Sequence, residues 1–294
     1  MKIKNLFTHQ NDGFYELYFN NKLVKKSMRK INIFHNEGNI YVSIFEEDKY
    51  KLYIAGVTEL RYIFSADDIY NVYGDIVIYK NDGLVIYMNL WSGVYVAYAD
   101  GTVFNNLGAV VYDSTFNKCY LINDKLEKVS HMYDAMYQIN AWHIQCKDNN
   151  IYYLIDRNGN EIFKSSHYIL YKAPYYITEK DGNILIYEKL GDIFKCVYSL
   201  PNYFSVREVY DNLIYILDCK LEKTYLINIL DNNKYEVIDS QILDGTVTFI
   251  CNDKNNRIKE IIVDKIDIKE YSKLYPTFLS MEIELNLNNY FKAP

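Results

Sequence analysis

The side chains most able to bind a metal or act as nucleophiles are five histidines and five cysteines. They are His9, His35, His131, His143 and His167, with Cys119, Cys146, Cys196, Cys219 and Cys251. No histidine pair has HxH, HExxH or HxxxH spacing, and no cysteine pair is CxxC, so neither set predicts a metal centre. Scattered single cysteines of odd number suit small core hydrophobes in a reducing compartment. His131 and His167 each follow a serine, at matching places in adjacent stretches of chain, and are read as positions where each unit needs the same packing contact or hydrogen bond. The sequence has no GxSxG, no P-loop and no GxGxxG. No cofactor and no metal are expected, and no catalytic residue is assigned.

Carboxylates cluster at Glu46-Glu47-Asp48 and at Asp67-Asp68. A glycosidase needs two carboxyl groups facing one another across a sugar. Neighbours within one turn point apart, so these clusters are read first as turns, with Asp67 and Asp68 kept as candidate binding residues. Ala99-Asp100-Gly101-Thr102 is read as a hairpin turn. The two tryptophans differ in setting. Trp142 opens a strand-like run and is expected in the core. Trp91 lies in Asn89-Leu-Trp-Ser-Gly93, between strands, with Tyr95 and Tyr98 close behind. An exposed loop tryptophan among tyrosines can anchor a partner, so Trp91, Tyr95 and Tyr98 are the remaining candidate binding residues.

Composition limits the partners. The formal net charge is −6 on 294 residues, which gives no global attraction to nucleic acid or acidic membranes. The one basic run, Lys22 to Lys30, has the alternation of a solvated edge strand and turn. No stretch approaches the ~18 apolar residues of a membrane span, and Met1–Gln10 lacks the apolar run of a signal peptide. A cytoplasmic protein is expected, with no nucleic-acid or membrane partner. Half of the residues are hydrophobic, enough for a large core, and 32 are tyrosine. Tyrosine forms strands and carries a polar tip on an apolar body, so the sheets should have half-buried outer faces. Abundant Ile, Lys, Asn, Tyr and Phe also fit AT-rich coding, in a low-GC bacterium or its phage.

These residues are placed by a repeat. Turn clusters centred near 12, 47, 82, 116, 149, 181, 221 and 254 recur at steps of 35, 35, 34, 33, 32, 40 and 33 residues. The long step marks one insertion before Lys220. The turns have the Asn/Asp/Gly chemistry of tight hairpins. Cys119-Tyr-Leu-Ile-Asn123, Tyr152-Tyr-Leu-Ile-Asp156 and Thr224-Tyr-Leu-Ile-Asn228 are nearly one motif for the strand that follows. No 3.6-residue period is sustained. Each unit therefore reads as three or four short antiparallel strands. A meander repeating every ~35 residues predicts an all-β, single-domain β-propeller over residues 1–294, with seven or eight small blades. An open solenoid is the rival. Met281–Leu287 alternates with period two and is expected to close the ring against the first unit.

Within this pattern Ile151–Tyr168 resembles a WG-type repeat of bacterial β-repeat proteins, through the run Leu154-Ile-Asp-Arg-Asn-Gly-Asn-Glu-Ile162. The Trp-Gly pair that names the repeat is replaced by Tyr152-Tyr153, and the later proline is missing. The resemblance implies a scaffold used for binding and brings no catalytic residue. The expected function is a non-enzymatic protein-binding scaffold, in an inhibitor, immunity or assembly role, with an unidentified protein partner. The alternatives are a carbohydrate-binding or carbohydrate-active propeller, and a structural subunit of a phage or secretion apparatus.

Overall fold

The computed structural model describes residues 6–264, apart from 37, 57, 58, 103, 244 and 245. Met281–Leu287 lies outside the described residues. Among those described there is no helix. The described residues form twenty-eight strands in seven antiparallel sheets, and each of these strands pairs only with its neighbours in sequence.

The first sheet holds β1 (Leu6–Asn11), β2 (Phe14–Phe19) and β3 (Lys22–Ser27). The second holds β4 (Asn32–Asn36), β5 (Asn39–Glu46), β6 (Lys49–Ala55) and β7 (Leu60–Ala66). The third holds β8 (Asp68–Tyr73), β9 (Ile76–Asn81), β10 (Leu84–Asn89) and β11 (Tyr95–Tyr98). The fourth holds β12 (Asp100–Gly101), β13 (Ala109–Asp113) and β14 (Lys118–Ile122). The fifth holds β15 (Ala135–Gln138), β16 (Ile144–Asp148), β17 (Ile151–Ile155) and β18 (Glu161–Ser165). The sixth holds β19 (Leu170–Lys172), β20 (Tyr175–Lys180), β21 (Asn183–Leu190) and β22 (Ile193–Pro201). The seventh runs through six strands, β23 (Phe204–Tyr210), β24 (Leu213–Asp218), β25 (Lys223–Asn228), β26 (Lys234–Leu243), β27 (Thr246–Asn252) and β28 (Ile258–Asp264).

All eight repeat turns join paired strands, from β1/β2 to β27/β28. The geometry explains their composition. A two-residue hairpin that matches strand twist needs positive φ at both central positions. Asp12-Gly13, Asp82-Gly83, Asn149-Asn150 and Asp181-Gly182 supply it, as do Glu47-Asp48. The eighth hairpin does not form a sheet of its own, because the ten-residue β26 pairs with β25 at one end and β27 at the other. The inserted residues lengthen the β21/β22 hairpin, which pairs from Asn183↔Pro201 to Leu190↔Ile193. Ladder irregularities recur in the second hairpin strand, at Leu17/Tyr18, Leu52/Tyr53, Leu154/Ile155 and Ile186/Tyr187. Such bulges bend a strand and raise its twist.

The chain divides into two compact units, one up to Met132 with Arg157–Gly159 and the other from Tyr133 with that turn excluded. In the first unit each sheet packs its apolar face on the next. Leu17 meets Val42 and Ile44, Tyr41 and Leu52 meet Ile69 and Val77, and Ile78 and Tyr87 meet Val111 and Ile122. In the second unit Leu154 packs with Tyr176, Ile186 with Ile214, and Leu226 with Phe249. Aromatic rings link these layers, as in Tyr73–Phe104–Tyr87–Tyr98–Tyr120, at centroid spacings of 6.1, 5.8, 6.1 and 5.7 Å. The tyrosine-rich composition is thus used at the contacts between sheets.

Two local expectations are corrected. Asp100-Gly101 is not a hairpin turn but the short strand β12, paired Asp100↔Tyr112 and Gly101↔Val111. It lacks a side chain at 101 because an added Cβ would lie 2.1 Å from the Tyr87 hydroxyl, which donates to the Thr102 carbonyl at 2.7 Å. Trp142 is not core. It is 54% exposed, because the Asn140 Oδ1 accepts the N–H groups of Trp142 and His143, both at 2.9 Å, and bends the chain ahead of β16. The interior position goes to His143.

Candidate functional site

The exposed aromatic site is built at the end of β10. Asn89 closes that strand, and its Oδ1 accepts the N–H groups of Trp91 at 3.0 Å and Ser92 at 2.9 Å. The Asn89 N–H donates to the Val94 carbonyl and the Gly93 N–H to the Asn89 carbonyl, both at 2.9 Å, with Gly93 at φ +69°. The turn is thereby locked, as side-chain amides commonly lock turns. The Trp91 indole Nε1–H donates to Asp75 Oδ1 at 2.7 Å. Trp91 is nonetheless 71% exposed, with Val94 at 58% and Tyr95 at 63% beside it in sequence.

The five candidate residues are not brought into one place. Tyr95 and Tyr98 lie three apart on β11 and so face opposite ways. Tyr98 turns inward, edge-on to Tyr87 and Tyr120. Asp67 is at the other end of the sheet. Its Oδ2 accepts the Asp82 N–H at 2.8 Å and its Oδ1 meets Lys49 Nζ at 3.3 Å, which hold its carboxyl below the usual range. Asp82 precedes β10 and Trp91 follows it, so the two sites are separated by the strand's length, ~17 Å at 3.4 Å per residue. Asp68 Oδ1 accepts the N–H of the adjacent Ile69 at 2.8 Å.

Asp67 has a counterpart. Asp134 Oδ2 accepts the Asn149 N–H at 3.0 Å, and both pairs span fifteen residues. A recurring Asp fifteen positions before a hairpin is a signal the sequence held, and its role is to tie a strand to the turn. The terminal Asn/Asp of the repeated strand motif has a similar role. Asn123 Oδ1 accepts the Lys125 and Glu127 N–H groups, and Asp156 Oδ1 accepts that of Asn160. Asn228 Oδ1 accepts the Leu230 N–H.

Several other ionisable groups are committed to neighbours. The basic run forms the edge strand β3 and the turn after it. Lys25 pairs with Glu46 and Lys26 with the buried Glu16, both at 2.6 Å, and Arg29 lies 3.8 Å over the Phe45 ring. Burial pushes the Glu46 carboxyl up, but hydrogen bonds from Lys25 and Tyr53 outweigh it and leave the pKa lowered. Glu16, Asp67 and Asp253 are displaced downward as well. A glycosidase general acid needs the opposite displacement. Burial, with the charge of Lys189, lowers His143 to about 4, and its Nδ1 is 2.6 Å from the Tyr176 hydroxyl. Asn140 Nδ2 donates to that same hydroxyl at 3.0 Å. This triad is enclosed and works as structure. His131 and His167 are exposed, and His167 Nδ1 is 3.0 Å from Ser166 Oγ. Among the described residues no three His, Cys, Asp or Glu side chains could hold a metal.

No protein-family model matches the chain, and no curated protein matches it in sequence. Among solved structures it is similar to Kluyveromyces lactis Hsv2, at 9% identity, covering 79% of this chain and 98% of that one, TM-score 0.33. It is similar to the WD40 domain of Toxoplasma gondii coronin, at 13% identity, 90% and 77% coverage, TM-score 0.29. The β-propeller domain of Myceliophteria thermophila Cps50 (Swd1) follows, at 11% identity, 79% and 96% coverage, TM-score 0.29. Scores this low transfer no function. The all-β, propeller-type class rests on the serial meanders and their face-to-face packing within each unit.

Proposed function

We propose that the protein is a non-enzymatic scaffold of the cytoplasm, a single propeller domain that binds a protein partner through Trp91, Val94 and Tyr95. The supporting observation is that Trp91 is exposed yet held. Its backbone is fixed by Asn89 and its ring by Asp75, so docking it costs little side-chain entropy. Large aromatic anchors of this kind dominate binding energy at protein interfaces. A partner with an apolar pocket rimmed by hydrogen-bond donors to Asp75 would complement it. An inhibitor, immunity or assembly role in a low-GC bacterium or phage is consistent with such a module.

The test is crosslinked affinity purification from the source cell with wild type and Trp91→Ala in parallel. A partner recovered at equal stoichiometry with wild type, and bound at least ~30-fold more weakly by the variant, supports the assignment. Equal recovery by both proteins removes Trp91 from the interface. Glycans captured in place of a protein would turn the reading toward carbohydrate.

A further inference from the structure

The carboxylate that fixes Trp91 carries a charge that the fold leaves unanswered. Gly74-Asp75 is the two-residue turn between β8 and β9, set by the pair Tyr73↔Ile76. Asn36 of β4 holds Gly74 at both polar groups. Its Oδ1 accepts the Gly74 N–H at 3.0 Å, and its Nδ2 donates to the Gly74 carbonyl. The Asp75 carbonyl accepts the Leu90 N–H at 2.8 Å. The turn is thereby tied to the second sheet on one side and to the Trp91 loop on the other. Asp75 Oδ1 is taken by the indole N–H, whereas Oδ2 accepts no hydrogen bond and Asp75 makes no ion pair among the described residues. From β8 to β11 the sequence has a single Lys or Arg, Lys80. It stands at the far end of β9 from Ile76, ~14 Å away at 3.4 Å per residue.

An indole N–H lies in the plane of its ring. A carboxylate bonded to it therefore sits at the ring's edge and leaves the ring face to other groups, and Trp91 is mostly exposed. The negative face of the ring and the carboxylate beside it attract the same thing, a cation. Both are already held in place, so a cation bound there orders little. Of the two cationic side chains arginine suits the arrangement better. Its guanidinium is planar, weakly hydrated, stacks on aromatic rings and donates from its edge to a carboxylate, whereas the lysine ammonium is a compact, strongly hydrated point charge. The protein makes the stacking contact within itself, with Arg29 3.8 Å over the Phe45 ring. The net charge of −6 has the sign that favours the approach of a basic segment.

We infer that the protein partner presents an arginine side chain here, its guanidinium stacked on the Trp91 indole and donating to Asp75 Oδ2. This rests on Trp91 lying in a protein-binding surface, and it names the side chain that the surface takes.

Proton–nitrogen spectra of the full chain test it, since the indole N–H of Trp91 can be told from that of Trp142 by its loss in Trp91→Phe. The probes are blocked pentapeptides with one arginine, lysine or citrulline at the centre, citrulline being the neutral counterpart of arginine. The arginine peptide should shift the Trp91 signal saturably and leave that of Trp142 in place. The citrulline and lysine peptides should bind at least ~10-fold more weakly. Asp75→Asn, which keeps an acceptor for the indole, should weaken the arginine peptide by about 10–100-fold. No saturable shift, or an equal response to citrulline or lysine, would overturn the inference. If Asp75→Asn fails to fold, the wild-type comparison of the three peptides decides alone. Affinity purification with Asp75→Asn beside Trp91→Ala separates the arginine from the surface. A partner lost by Trp91→Ala but held at full strength by Asp75→Asn removes the arginine and keeps the surface, and a partner held by both variants removes the surface as well.

Discussion

At the scale of single residues, two glycines with the same backbone sign have different reasons to be glycine. Gly13, at φ +82°, faces open space, whereas a Cβ at Gly159, φ +78°, would sit 2.0 Å from the Val129 carbonyl oxygen and 2.8 Å from Ser130 Cα. Gly13→Ala therefore meets only the left-handed backbone penalty, about 1–2 kcal/mol. Gly159→Ala must also displace backbone and is expected to cost more than about 3 kcal/mol. Urea unfolding of the two variants separates these effects. His143 makes a pH prediction. Its folded pKa of about 4 lies below the ordinary value of 6.5, so the neutral ring stabilises the fold above pH 6.5, and that contribution is lost as pH falls toward 4. At ~1.4 kcal/mol per unit the loss is roughly 3 kcal/mol. His143→Asn should flatten the dependence of the urea midpoint on pH over that window. An unchanged slope would show that other groups dominate it.

At the scale of elements, the hairpins were legible because their chemistry is local. Asn, Asp and Gly tolerate positive φ, and the turn positions could be counted off the chain before any pairing was known. Glu47 and Glu222 are the poor fits, held at φ 52° in the β5/β6 turn and φ 54° in the β24/β25 turn. Glu222→Gly should raise stability by about 0.5–1 kcal/mol, as the left-handed strain exceeds glycine's entropic cost, and the thermal midpoint should rise. The longer-range roles were not legible. Asp67 and Asp134 act on turns fifteen residues away, which no propensity reports. Trp142 looked like the first residue of an interior strand, and only the capture of two N–H groups by Asn140 moves it outward. The merger of the last two hairpins depended on the length of β26, where an alternating pattern cannot mark where one sheet stops. The candidate binding residues were scattered by the same cause: sequence proximity on β8, β10 and β11 does not say which end or face of the sheet each one occupies.

At the scale of the molecule, both tryptophans lie on the surface while tyrosines fill the contacts between sheets. Acrylamide should quench the tryptophan fluorescence of the native and urea-unfolded protein to nearly the same degree. Unfolding should instead be followed by the near-ultraviolet circular dichroism of the tyrosines. Protected native tryptophans would contradict the exposure of Trp91 and Trp142. The strand order has a kinetic consequence. Because every described strand pairs only with its neighbours in sequence, the mean sequence separation of ladder contacts is short for an all-β protein, and low contact order favours fast folding. Each hairpin is completed soon after its turn is translated, so the meanders can pair one after another as the chain leaves the ribosome. Synthesis in one direction then exposes a single unfinished sheet edge at a time, which limits the interval in which so many apolar strands could find a neighbouring chain instead of their own.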